Sequence, residues 1–301
     1  MTVFTSRACL AHRPGGDHPE QPERLACVLR HLERDPTTDV REAPPAPIEA
    51  LTRCHEPRYL ERAAALSASG GGELGPDTPV GPESWNATLG ASGAVLAALE
   101  YVRLGGGAAF AAVRPPGHHA LYDRAMGFCI VNHVVVAAMA ARASGADRVL
   151  IVDWDVHHGN GTQALVEQEP GIHFVSMHRY PWYPGTGAAT ERGVDNCFNL
   201  PMPAGLPPAT YVETLWRGIG RATSAWAPDL ILISAGYDAM LGDPLGGFTL
   251  EPGHYAAWIE RLRDAFPRAP IVAVMEGGYL PERLAAGVIA TVGALGAAKK
   301  R

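Results

Sequence analysis

Long apolar runs are missing from this 301-residue sequence, and nothing in it approaches the roughly 20 consecutive apolar residues that span a bilayer. No membrane partner is expected. The N-terminal "MTVFTSRACLAHRPGG" lacks the basic-then-apolar order of a secretion signal, so the chain reads as cytoplasmic. Cysteine is scarce: Cys9, Cys27, Cys54, Cys129 and Cys197 are odd in number and never closely paired, which indicates neither a disulfide framework nor a thiolate zinc site. An excess of basic charge is lacking too. The formal net charge is −6 and the terminal "AAKKR" is too short to form a dense basic face, so nucleic acid is not expected as a partner. Internal repeats and low-complexity tracts are also absent. What remains, 47% hydrophobic and 19% charged residues, suffices for a large core, and residues 1–301 read as one catalytic-type domain.

Five apolar runs of strand length stop at chemically capable residues. They lie within "AAFAAVRPPGHH" (108–119), "RVLIVDWDVHH" (148–158), "IHFVSMHRY" (172–180), "LILISAGYD" (230–238) and "IVAVMEGGY" (271–279). Helical spacing fills the intervals, as in Leu25, Val28, Leu29 and Leu32; Ala91, Val95, Leu99 and Val102; Val212, Leu215, Ile219 and Trp226; or Tyr255, Trp258, Ile259 and Leu262. Fully apolar strands alternating with amphipathic helices predict an α/β fold, a parallel sheet covered on both faces. Ligands of such sheets bind at the carboxyl ends of the strands, so the five endings predict one shared site. The Gly- and Pro-rich stretches 67–82 and 200–208 read as loops.

Asp155 and His157, at i and i+2 past a strand, suit a divalent metal, and Asp238 after another strand is the candidate third ligand. The same residues could instead cap helices and bridge loops. His118 and His119 follow a Pro-Pro-Gly turn. Adjacent side chains on an extended chain point different ways, which favours proton transfer over shared ligation. Tyr279, after two glycines, could donate to a developing oxyanion. Phe128, Trp182 and Tyr183 could wall a pocket or simply pack.

Taken in order, "HPEQPERL", "RPPGHH", "GFCIVNHV", "DWDVHHGNGTQ", "YPGTG", "SAGYDAMLGDPLGG" and "EGGY" resemble the zinc-dependent histone deacetylase family, over about residues 12–290. The "HHGNGTQ" form looks like the class II branch, which includes bacterial amidohydrolases. The resemblance implies the three-layer arginase/deacetylase fold with a central, mainly parallel sheet of about eight strands. It implies Asp155, His157 and Asp238 as Zn²⁺ ligands, with Fe²⁺ also suited to such hard donors. His118 and His119 become the tandem catalytic pair, backed by Asp153 and Asn160, and Tyr279 becomes the catalytic tyrosine. Gly127, Phe128, Tyr183 and Leu245 would line an acyl-lysine tunnel with Asp77 at its rim, while Asp153, Asp155, His157, Ser176 and Met177 would hold a structural K⁺.

The implied activity is removal of an acetyl or short acyl group from acyl-lysine or a similar N-acylated amine. Alternatives are an acetylpolyamine or small-metabolite deacetylase, a two-metal ureohydrolase using Asp238 and Asp243, and an acyl-lysine binder without turnover. Leu245 is apolar where polyamine-selective relatives tend to carry an acid, which leans toward acetyl-lysine-like substrates.

Overall fold

The computed structural model describes residues 1–297, so the basic Lys299, Lys300 and Arg301 fall outside the described residues. Ten strands run in chain order: β1 Thr2–Thr5, β2 Asp39–Glu42, β3 Gly72–Gly75, β4 Thr78–Val80, β5 Ala108–Ala112, β6 Val149–Asp153, β7 Ile172–Arg179, β8 Cys197–Met202, β9 Leu230–Ala235 and β10 Ile271–Met275. Eight of them form one sheet in the order β2-β1-β5-β10-β9-β6-β7-β8. Every neighbouring pair in that sheet is parallel. Each residue of β6, β9 and β10 is buried, as expected of strands covered on both faces.

The helices are α1 Pro22–Arg34, α2 Ile48–Leu51, α3 Pro57–Ala68, α4 Ser84–Tyr101, α5 His133–Ala143, α6 Asn160–Val166, α7 Pro208–Ala222, α8 Pro252–Ala265 and α9 Pro281–Gly296. In one group α1 packs on α9, α9 on α8 and α8 on α7; in the other α4 packs on α5. Asn132 caps α5, its side-chain oxygen accepting from Val135 N at 3.2 Å. None of the helices among the described residues is long and apolar enough to cross a membrane.

Three expectations need correction. Residues 67–82 are not simply loop: α3 runs through Ala68 and a two-stranded antiparallel ribbon, β3 with β4, follows. Likewise β8 extends into the 200–208 stretch. Trp226 does not continue its helix, because α7 ends at Ala222. The indole instead meets His173 in ring contact at 4.2 Å.

Two histidines of the core are buried as neutral rings. His55 Nδ1 donates to Leu121 O at 2.8 Å and Nε2 accepts from Asn132 N at 2.9 Å; His133 lies between Ser92 Oγ and Pro115 O. Burial pulls His55 down to about 4 and His133 down to about 3. The unfolded chain therefore takes up protons as pH falls through about 6.5 while the folded chain does not, so stability is lost between about 6.5 and 4. The expected slope is about 1.4 kcal/mol per pH unit for each histidine. Urea unfolding at pH 7, 6 and 5 checks this, and His55→Gln should shallow the slope by one histidine's share. Equal slopes for both proteins would remove His55 from the account.

Candidate active site

Because the sheet is parallel, the carboxyl ends of its central strands β5, β10, β9 and β6 share one edge. Beyond β6 the chain presents Asp155 and His157, and beyond β9 it presents Asp238. One donor atom from each lies within 4.8 Å of the other two. His157 Nδ1 is 3.0 Å from Asp155 Oδ1 and 3.1 Å from Asp238 Oδ2. The remaining carboxylate oxygens are oriented by backbone: Val156 N donates to Asp238 Oδ1 at 2.8 Å and Gly277 N to Asp155 Oδ2 at 2.9 Å. Gly277 must be glycine, since a Cβ there would sit 2.1 Å from Asp238 Oδ2.

Two buried carboxylates around one point create a strong demand for positive charge. Burial alone would lower the His157 pKa, yet the hydrogen bonds of Asp155 and Asp238 outweigh it and raise the ring to about 10. Asp238 is itself pushed up to about 7, first by burial and then by the Asp155 charge. Two carboxylates and one imidazole, pre-oriented and facing inward, fit a divalent cation. Asp243 does not join them. Its Oδ2 accepts from Tyr279 N at 2.8 Å and its Oδ1 from Leu245 N at 3.0 Å, which leaves the two-metal ureohydrolase without its second acid.

His118 and His119 follow β5 with ring centroids only 4.0 Å apart. They lie side by side rather than pointing different ways, because the chain at 118–119 is a turn and not extended strand. His118 Nδ1 is 3.0 Å from Asp153 Oδ2, and His119 Nδ1 is 2.7 Å from Asn160 Oδ1. The two backing groups differ in charge, and that separates the rings. Burial would lower His118, but the Asp155 and Asp153 carboxylates outweigh it and hold the ring well above its usual range. His119 has only an amide behind it, so burial and then the neighbouring His118 and His157 hold it well below that range. Asp153 and Ser176 are register partners on β6 and β7, with Met177 next along β7, and all three are buried.

Above these groups opens a cavity of about 230 Å³ lined by Asp77, His119, Gly127, Phe128, His157, Trp182, Tyr183, Leu245 and Tyr279. All five residues expected to bind substrate, Gly127, Phe128, Tyr183, Leu245 and Asp77, are on its wall. Phe128 has φ 68°, a left-handed conformation rare for so large a residue, and its ring meets Tyr279 edge-on at 5.9 Å. Asp77, in the turn between β3 and β4, accepts from Tyr183 OH at 2.6 Å and from Gly127 N at 2.8 Å.

Sequence reasoning missed the groups behind Tyr279. Arg24 on α1 donates to Gly278 O at 2.6 Å and to Glu276 O, and its guanidinium lies 4.9 Å from the Tyr279 ring centroid. Glu20 forms ion pairs with both Arg24 and Arg114, all three fully buried or nearly so. Glu276 Oε2 accepts from Gly117 N at 2.6 Å and His118 N at 3.2 Å, fixing the turn that carries the histidines. The motifs "HPEQPERL", "RPPGHH" and "EGGY" contain these residues, but a motif does not disclose a buried ion pair.

A model of the histone deacetylase domain matches residues 18–295. A histone deacetylase-like amidohydrolase of Pseudomonas aeruginosa is 38% identical over 273 residues, 87% of this chain and 72% of the relative. Among solved structures, the HDA15 HD domain superposes with a TM-score of 0.93 at 32% identity, covering 98% of this chain and 90% of that one. An acetylpolyamine aminohydrolase from Burkholderia pseudomallei superposes with a TM-score of 0.89 at 29% identity, over 99% of both chains. Sequence, sheet order and the residues gathered at the strand ends agree, and the chain belongs to the histone deacetylase family of amide-bond hydrolases.

Proposed function

We propose that this chain is a metal-dependent deacetylase that cleaves acetyl or short acyl groups from acyl-lysine or a similarly uncharged N-alkyl amide. The observation that carries this reading is the wall of the cavity. Phe128, Trp182, Leu245 and Tyr279 surround the path to His119, and Asp77, the one carboxylate on that wall, already serves Tyr183 and Gly127. An uncharged alkyl chain loses little on entering such a passage, whereas a polyamine ammonium meets a single carboxylate whose two oxygens are already turned to Tyr183 and Gly127.

Asp155, His157 and Asp238 would hold the catalytic ion, Zn²⁺ or with the same donors Fe²⁺, which when bound supplies Lewis acidity toward the amide carbonyl and acidifies water. His119 Nδ1–H donates to Asn160 Oδ1, which leaves the Nε2 lone pair toward the cavity. A neutral ring in that tautomer takes the proton of the attacking water at Nε2 and returns it to the departing nitrogen, since an amine anion cannot leave. His118, whose ring the Asp155 and Asp153 carboxylates hold well above its usual range, supplies a positive charge beside the reacting atoms. Tyr279, whose phenol burial holds well above its usual range, keeps its proton and donates it in a hydrogen bond to the carbonyl oxygen as charge develops. Asp153, Asp155, His157, Ser176 and Met177 would hold K⁺ beneath this layer.

The likeness to an acetylpolyamine aminohydrolase supports the second reading, with a short cationic amine as leaving group. Acetate release from an acetyl-lysine peptide and from an acetylated polyamine, measured side by side, decides between them. The expected outcome is a kcat/KM at least about 10-fold higher for the peptide, the worth of one unpaired ammonium at about 1.4 kcal/mol. A preference of that size for the polyamine would reverse the assignment.

A further inference from the structure

The α1 helix presents Cys27 and His31 four residues apart, one turn along a single face, and that face packs on α9. The first turn of α9 brings Glu282 against both. Cys27 Sγ donates to Glu282 Oε1 at 3.3 Å, and His31 Nε2 lies 3.0 Å from Glu282 Oε2. One donor atom from each residue falls within 4.8 Å of the other two. A tetrahedral zinc with sulfur at about 2.3 Å and nitrogen or oxygen at about 2.0 Å has donor-to-donor edges of about 3.3–3.5 Å. The contacts made by Glu282 are already near that length.

We propose that Cys27, His31 and Glu282 form a second metal site, for a borderline-soft divalent cation of the zinc type, bridging α1 to the start of α9. The thiol forms the buried floor, while His31 and Glu282 are 42% and 74% exposed, so the cation enters from solvent and a water completes its shell. Burial, and then the hydrogen bond to Glu282, hold the thiol up at about 11. Binding therefore displaces the thiol proton into solvent as the sulfur–metal bond forms. None of the three residues serves the deacetylase site, and the thiolate makes the two sites chemically distinguishable. Sequence spacing did not reveal the cluster because Glu282 lies 255 residues from Cys27.

Equilibrium dialysis of the full chain against free Zn²⁺ should give about two ions per chain for the wild type and about one for Cys27→Ser or His31→Gln. With Co²⁺ as the probe, a thiolate-to-cobalt charge-transfer absorption should appear in the near ultraviolet. The deacetylase site has no thiolate and cannot produce it. The absorption should persist in Asp238→Asn, which separates this site from the catalytic one, and vanish in Cys27→Ser. His31→Gln, at a surface position, keeps the test open should the buried Cys27 substitution disturb the fold. No thiolate absorption with the wild type, or one that survives Cys27→Ser, overturns the proposal.

Discussion

Asp238→Asn is expected to leave a folded protein that retains no catalytic metal and has lost amide hydrolysis by on the order of 1,000-fold or more. The scale follows from the several kcal/mol that a bound cation contributes to a developing oxyanion, at about 1.4 kcal/mol per tenfold. Asparagine is the informative substitution because it separates charge from shape. The side-chain oxygen facing Val156 N, at 2.8 Å in the parent, still has a donor to accept from, so the loop beyond β6 keeps its path. What disappears is one of two buried anions. Asp238 is held up at about 7 by burial and by Asp155, so its charge costs the apoprotein stability near neutral pH and its removal should not lower the melting temperature. Metal content per chain, acetate release and melting temperature together make the test. A variant that keeps its ion and more than about a tenth of its rate would show that Asp238 is not a ligand.

Tyr279→Phe should lower kcat by about 100- to 1,000-fold with KM little changed, the usual cost of one oxyanion donor. The ring is held by contacts that phenylalanine preserves: Arg24 at 4.9 Å from its centroid, Phe128 edge-on at 5.9 Å, and its backbone N–H on Asp243 Oδ2. The hydroxyl is the only thing removed. Burial keeps the phenol protonated against the opposing charge of Arg24, so the lost function is donation and not ionisation. A kcat within about tenfold of the parent, in a protein of unchanged melting temperature, would hand the oxyanion role to another group.

Much of this site can be read in the sequence because chemistry and hydrophobicity change abruptly at the same places. β6 runs from apolar residues straight into Asp153 and Asp155, and only Gly236 and Tyr237 separate β9 from Asp238, a boundary legible without any partner. The strands β1, β2 and β8 were not among the runs singled out. "DVRE" at the sheet edge is nearly all exposed and charged, as edges must be to avoid pairing with other chains, and "CFNLPM" carries Asn199 and Pro201. The Glu20–Arg24–Arg114 network is illegible for a different reason. Charged residues are ordinarily read as surface, and here Arg114 lies 94 residues from Glu20 while Arg24 reaches the Gly278 carbonyl across 254. Asp243 shows the reverse error, since an acid that sequence offers as a metal ligand instead spends both oxygens on backbone amides.

The carboxylate of Asp77 joins three stretches of chain: its own hairpin, the Gly127 turn and the Tyr183 loop. These walls can then change width only in concert. A library that varied them one loop at a time would mostly register losses, because each single change strands a donor or acceptor on another wall. Broadened acyl selectivity should emerge from paired substitutions, with strong epistasis between Asp77 and Tyr183, and this lineage would reach new substrates by coordinated steps.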